Sequence, residues 1–305
     1  MDLNSILNCS LISLKETVCK SEEFCIACFE EWGYFKSSVC NCGAICTKIK
    51  DSHKKTGFYY YCRTCKKKNI PTNSTWFQGN QLSFSLNMYV IHCWAEDMTI
   101  KQTVRQTGIS NRIIIKYKYY IRNVCMFALS KLHGKIGGPG KIVEIDENLL
   151  FKAKYNVGRR LGSGWVFGGI QRNDKSKIFM VLVTDRTSET LIPLIKEHIE
   201  PGTTIISDKW RAYFPITSEG YKHLTVNHSV NFVDPDDKTI HTQNIENTWR
   251  WAKRKFRTTS KKPEKRIARL GEFLYRRVHK NKDITVQILK DIKYYYESPL
   301  TANNE

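Results

Sequence analysis

The sequence predicts a mixed α/β chain with a cysteine-rich front part and a sheet-based back part. Three observations carry this. Of eleven cysteines, all but Cys125 lie at or before Cys93. Beyond Gly140, short runs dense in β-branched and aromatic residues alternate with helical spacing. Between the two, Gly134 to Gly140, with Pro139, reads as a break.

Composition narrows the class of protein. The chain has 305 residues and a formal net charge of +20. That length holds more than one domain and a real core. With 41% hydrophobic and 12% aromatic residues, wholesale disorder is excluded. No apolar run reaches the ~18 residues a membrane span needs. Met1 to Ser10 lacks a basic start and a long apolar core, so no secretory signal is expected. A strong positive charge points to a polyanion, with nucleic acid foremost. Clustered cysteines without an export signal read as a metal site plus buried thiols.

Taken in order, residues 1–35 mix apolar and acidic side chains and predict a helical lead-in. Within it Cys25-Ile-Ala-Cys28 lies in an apolar, helix-like stretch and reads as buried thiols. Residues 36–80 predict a zinc ribbon. Cys62-Arg-Thr-Cys65 follows the aromatic run Phe58 to Tyr61, and a tight CxxC turn brings two thiolates to one tetrahedral Zn²⁺. Cys40 and Cys42 supply the second pair in a CxC knuckle, one residue short of the usual spacing, and Cys46 could stand in for Cys40.

Residues 81–133 are helical in pattern. Leu82, Leu86, Tyr89, Val90, Cys93 and Trp94 recur at three- and four-residue steps and predict one apolar face. Met98 to Gln106 predicts a short helix capped by Thr99. Thr107 to Ser110 is a turn. The next helix carries Ile113, Ile114, Tyr117, Tyr120, Ile121 and Val124 on its apolar side. Short helix, Gly-containing turn and longer helix make a helix-turn-helix pattern, or an ordinary helical hairpin. In a DNA-binding version Asn111, Arg112, Lys116 and Lys118 are the candidate contacts.

Residues 141–282 predict three strands (141–146, 164–171, 177–184), a helix (187–199), two strands (203–207, 223–226) and a helix (241–256). That order is the ribonuclease H-like arrangement, a mixed five-stranded sheet flanked by helices. Residues 283–305 predict a C-terminal helix and tail. Three acids fall at telling points. Asp146 lies on the first, central strand, Asp208 ends its neighbour, and Glu246 opens the later helix. Carboxylates from remote segments converge against their repulsion when a divalent cation holds them, here Mg²⁺ or Mn²⁺. Such a site supports in-line attack on a phosphodiester. His241 and His228 are lesser candidates nearby, more ordinarily packing residues.

The stretches Val143 to Glu147, Tyr155 to Arg160, Trp165 to Ile170, Ser207 to Trp210 and His241 to Trp249 resemble the Merlin-type transposases and their bacterial insertion-sequence relatives. The approach to Cys62 through a Tyr-rich run, and Trp76-Phe77 beyond it, are also similar. The resemblance runs from about Cys40 to Arg277. It implies a cut-and-paste transposase whose Asp-Asp-Glu triad is Asp146, Asp208 and Glu246. It also implies a basic residue seven positions after the last acid, which here is Lys253. Seven residues is two helical turns, so Glu246 and Lys253 share a face.

Residues 250–282 hold fourteen Lys and Arg against two acids. Arg250, Arg254, Lys255 and Arg257 open this run and are candidate phosphate contacts. Such contacts bring affinity and salt dependence, and little sequence information. The expectation is therefore a metal-dependent transposase. It would cleave strands at transposon ends and transfer the 3′-hydroxyl to target DNA. Double-stranded DNA is the partner, in its terminal repeats and its target, and a homo-oligomer in the synaptic complex is expected by analogy. The compartment is the nucleus for a eukaryotic source and the cytoplasm for a bacterial one. The alternatives are a domesticated, non-catalytic DNA-binding protein and a structure-selective nuclease on the same fold.

Overall fold

The structure is a computed structural model that describes residues 2–36, 38–132, 134–151, 164–226, 238–256 and 262–298. The chain forms two units, Met1–Ala128 with Asn281–Glu305, and Leu129–Lys280.

In the first unit, α1 (Leu11–Glu16) and α2 (Glu22–Glu31) each start at a serine. The Ser10 and Ser21 hydroxyls accept from the backbone N–H of Ser13 and Phe24, satisfying donors a helix start leaves open. The lead-in thus carries a short 3-10 turn at Leu3–Ile6 and then these two α-helices. α2 buries Cys25, Cys28 and Phe29. Three strands follow, β1 (Thr47–Lys50), β2 (Phe58–Tyr61) and β3 (Lys68–Asn69), paired antiparallel in that order.

Helices α3 (Phe84–Ala95), α4 (Ile100–Thr107) and α5 (Asn111–Lys131) complete this stretch. The expected single apolar face of α3 needs correction. Leu82 precedes the helix, Leu86 and Tyr89 are half-buried, and Phe84, Asn87, Met88, Ile91 and His92 are buried. The helix is covered on most of its surface, so its periodicity is blurred. Asn87 is possible there because its amide is satisfied. Its Oδ1 accepts from Asn80, Tyr117 and Trp76, and its Nδ2 donates to the Leu82 and Ser83 carbonyls.

α4 begins with a capping box between Thr99 and Gln102 and ends at Gly108, whose φ of 71° suits glycine. α5 buries Ile114, Tyr117, Ile121 and Val124. Tyr120, expected on that apolar side, is instead 38% exposed. Lys118 also turns inward, its Nζ donating to the Met98 carbonyl at 2.6 Å.

The second unit runs β4 (Ile136–Gly137), β5 (Ile142–Leu149), β6 (Trp165–Gln171), β7 (Ile178–Val183), α6 (Ser188–His198), β8 (Ile199–Glu200), β9 (Thr204–Asp208), β10 (Lys222–Val226), α7 (Gln243–Phe256) and α8 (Pro263–Val278). The main sheet is mixed and five-stranded, in the order β10-β9-β5-β6-β7. β5, β6 and β7 pair antiparallel, and β10, β9 and β5 pair parallel. β4 and β8 form a separate parallel pair.

Alternation along the strands gives the sheet two apolar faces. Val143, Ile145, Phe167 and Phe179 pack with Leu191 and Ile195 of α6 and with Tyr213. Val166, Ile170 and Met180 pack with Ile245 and Trp249 of α7 and Phe273 of α8. The chain then returns as α9 (Ile284–Glu297) to the first unit, where the Tyr34 hydroxyl donates to the Leu289 carbonyl. Among the described residues no helix is long and apolar enough to cross a membrane.

Candidate functional site

The acidic site is built on the parallel pair β5 and β9. Glu144 pairs with Ile206, so Asp146 and Asp208 lie two residues further along adjacent strands. Asp146 Oδ2 accepts the Trp249 indole N–H at 3.0 Å. Burial, then the neighbouring charges of Glu147 and Asp208, push the Asp146 carboxyl up to about 8, although the Trp249 N–H pulls the other way. Asp208 Oδ1 accepts the backbone N–H of Trp210 at 3.0 Å. Gly168 faces Asp146 across β5 and β6. A Cβ there would lie 2.9 Å from the Trp249 ring, so glycine makes room for the indole that reaches Asp146.

Glu246 lies in the first turn of α7, half-buried, and its Oε1 accepts the Thr242 hydroxyl at 2.8 Å. Trp249 is one turn further along the same helix. The structure therefore brings Asp146 and Asp208 together and places Glu246 on the helix that touches Asp146. It does not close all three into a ligand cluster. Among the described residues only four cysteines bring their ligand atoms within 4.8 Å of one another. The donor chemistry nonetheless suits Mg²⁺. The oxygens are hard carboxylate ligands, and the burial and neighbouring charge that raise Asp146 are what a divalent cation would offset.

Two further acids escaped the sequence reading. Glu144 is fully buried on the same face of β5 as Asp146. Its carboxylate accepts the backbone N–H of Asn244 at 2.8 Å and of Ile245 at 3.2 Å, and the Asn244 side-chain amide at 2.7 Å. Arg172 completes the shell, with Nε and Nη2 both 3.0 Å from Oε1. Glu144 thus holds the start of α7, where the helix presents open N–H groups and a partial positive charge. The signal for it was visible, since Glu144 and Asp146 are two apart on one strand and must share a face. His241 sits at this anchor, with Nδ1 3.6 Å from Glu144 and its carbonyl accepting from Arg172. Glu147 faces the opposite side. Its Oε1 and the Tyr213 hydroxyl are buried next to each other; burial raises the Glu147 carboxyl, and the Tyr213 hydroxyl pulls it back down.

The cysteine cluster consists of Cys40, Cys42, Cys62 and Cys65. Cys40 and Cys65 sulfurs are 3.4 Å apart, and those of Cys42 and Cys62 are 3.5 Å apart. A ZnS₄ tetrahedron with bonds of about 2.3 Å has edges of about 3.8 Å, so the set fits Zn²⁺ with small adjustment. The short CxC knuckle is accommodated by a turn. Gly43 donates to the Cys40 carbonyl and has a φ of 84°. Backbone N–H groups aim at the sulfurs. That of Cys42 draws the Cys40 thiol down to about 6, and that of Cys65 lowers Cys62. Both effects favour the thiolates zinc requires. Cys46 stands outside the cluster and accepts from the Asn69 amide at 3.3 Å, so Cys40 is the fourth member.

The basic candidates separate. Arg112 and Lys116 are exposed on α5, with Lys116 5.5 Å from the Tyr120 ring centre. Arg250, Lys253 and Arg254 are exposed on α7, and Lys255 is half-buried. Arg254 rests on the exposed Trp251 ring. Arg257, His228 and the stretch 155–160 lie outside the described residues. The basic run is not one solvated face. Arg266 is buried against Phe151, and burial lowers both Arg266 and Arg277.

A cysteine cluster that could hold zinc and a mixed sheet with acids on neighbouring parallel strands describe a mixed α/β protein with a candidate metal site. Comparison with known proteins narrows the class. Residues 131–277 match the ISXO2-like transposase domain, a span of 147 of the 305 residues. The chain is also 31% identical over 80 residues to an uncharacterized transposase-like protein of Haemophilus influenzae. That alignment covers 26% of this chain and 63% of the relative's length. Both likenesses support a transposase family, and neither singles out the Merlin-type branch.

Proposed function

We propose that the protein is a DNA transposase of the Asp-Asp-Glu type, akin to the Merlin group, with residues 141–282 as its ribonuclease H-like catalytic part. The observation that carries this reading is the juxtaposition of Asp146 and Asp208 on parallel neighbours, beneath the helix that bears Glu246. The likeness of residues 131–277 to a transposase domain supports it independently.

Asp146, Asp208 and Glu246 would hold Mg²⁺, which supplies water activation and charge neutralisation at a phosphodiester. The chain's own residues do the positioning. Trp249 fixes the Asp146 rotamer through its N–H. Glu144 ties the start of α7 to β5 and so sets where Glu246 can reach. Lys253, two turns beyond Glu246, offers a cation to a nearby phosphate. Arg250, Arg254, Lys255 and Arg257 extend that contact along the backbone. The zinc-ribbon part (36–80) and the α4–α5 pair, acting as a helix-turn-helix within 81–133, would recognise transposon ends through Arg112 and Lys116.

The test is Asp208→Asn. Mg²⁺-dependent cleavage of duplex DNA taken from the sequence flanking the gene should vanish while DNA binding remains. Surviving cleavage would show the acid assignment to be wrong. A second reading, a non-catalytic DNA-binding protein, draws on the separation of Glu246 from the two aspartates. It expects DNA binding with no cleavage by the unaltered protein.

A further inference from the structure

Beside the acids sits an arginine with an unusual setting. Arg186 lies in the loop between β7 and α6, half-buried. Its guanidinium carbon is 4.1 Å from the Trp165 ring centre and 4.7 Å from that of Trp210. No carboxylate pairs with it, and its side-chain N–H groups have no hydrogen-bond partner among the described residues. A guanidinium stacked on indoles rather than bonded to a carboxylate keeps its N–H donors for a ligand and loses little freedom on binding.

Both indoles are themselves held. Trp165 begins β6 opposite Leu149 and Val183, and packs on the core. Trp210 donates its backbone N–H to Asp208 Oδ1 at 3.0 Å and its indole N–H to the Arg186 carbonyl at 3.1 Å. One tryptophan therefore ties the Asp208 carboxylate to the Arg186 backbone. Burial raises the Glu147 carboxyl, and the charge of Arg186 lies close enough to offset part of that rise. The guanidinium thus stands past the end of β7, at the sheet end where β5 and β9 also finish, beside the Glu147 face of β5.

The geometry points to Arg186 as a phosphate-contacting residue that grips a non-bridging oxygen of the DNA strand lying across Asp146 and Asp208. This rests on the phosphodiester-cleaving reading above. A planar fork of N–H donors suits a phosphodiester. Placed here it would hold the strand against the repulsion of the acids. The rival role is a purely structural counter-charge for Glu147.

Arg186→Gln separates the two, because it keeps a planar head on the indole side and removes the charge and most of the N–H fork. Arg186→Lys keeps the charge and loses the fork. The probe is a labelled duplex from the sequence flanking the gene. Its binding is followed against salt in Ca²⁺, and its cleavage in Mg²⁺. One lost phosphate contact should reduce the slope of log affinity on log salt by about 0.9 in Arg186→Gln. Cleavage should fall by about 10²-fold in Arg186→Gln. Arg186→Lys should keep the salt slope and recover only part of the cleavage. The melting temperature of Arg186→Gln should stay that of the unaltered protein. An unchanged slope with unchanged cleavage would overturn the inference while the transposase reading stands. A lowered melting temperature with an unchanged slope would assign Arg186 to structure and also overturn it. If the unaltered protein neither binds nor cleaves the duplex, the transposase reading falls and the inference falls with it.

Discussion

Replacing Glu144 by alanine should unsettle the catalytic unit more than any single surface change. The carboxylate is fully buried and accepts from two backbone N–H groups of α7, the Asn244 amide and two Arg172 nitrogens. Its removal leaves Arg172, whose side chain is only 15% exposed, without its counter-charge. It also reopens the donors at the helix start. Breaking one side of such a buried pair costs about 3–5 kcal/mol. At roughly 2–4 °C per kcal/mol for a unit of this size, the melting temperature should drop by about 6–20 °C. Glu144→Gln keeps an acceptor for the helix and forfeits the charge, so a smaller loss of about 1–3 kcal/mol follows. Calorimetry or thermal unfolding followed by near-ultraviolet dichroism reads both. A loss below about 1 kcal/mol for Glu144→Ala would refute the claim that this carboxylate anchors α7, because that is the scale of an ordinary surface change.

The purified protein should contain zinc, and Cys40→Ser or Cys62→Ser should remove it while Cys46→Ser does not. Metal analysis showing dependence on Cys46 would reverse the ligand assignment. Gly168→Ala should destabilise by about 1–3 kcal/mol, because the new Cβ would meet the Trp249 ring at 2.9 Å and the Phe179 carbonyl at 3.1 Å, neither able to move freely. Unfolding in urea with an unchanged midpoint would count against this. Asp185 is held down at about 2, chiefly by the Thr190 hydroxyl and then by the Thr187 N–H. A depressed carboxyl contributes stability above its unfolded value of about 4, lost as pH falls from there toward 2. Asp185→Asn should therefore flatten the stability profile between about pH 4 and 2, and an unaltered profile there would discount the interaction.

Much of the sheet was legible from residue pattern. The order of the strands after Gly140 follows from one alternating run and from density in β-branched and aromatic residues, and α6 from three- and four-residue steps; β5 runs on past the expected end to Leu149. The signal failed where burial is all-round, as in α3, because a helix covered on most sides has no polar face to set its phase. It failed too for two-residue strands such as β3 and β4, which are too short to show alternation. Tyr120 and Lys118 misled for a different reason. Both are amphipathic side chains whose direction is decided by the neighbour available.

The amino-acid sequence by itself determined what is local. It set a cysteine-rich front and a cysteine-free back, with a CxxC turn at Cys62 and Cys65. It put Asp146 in one strand, Asp208 at the end of another, and a cap at Thr99. These depend on residues a few positions apart, whose geometry the backbone dictates. Tertiary structure decided which of Cys40 and Cys46 joins the cluster, because a four-sulfur site needs closure in space and not only spacing. It decided that Glu144 serves a helix start 100 residues away. It decided that Arg266 is buried and Arg277 half-buried while Arg250 and Arg254 are exposed, and that Arg186 meets two indoles from separate strands and loops. Each of these is a contact between segments remote in the chain. Such contacts follow from how whole elements pack, which no window of sequence contains.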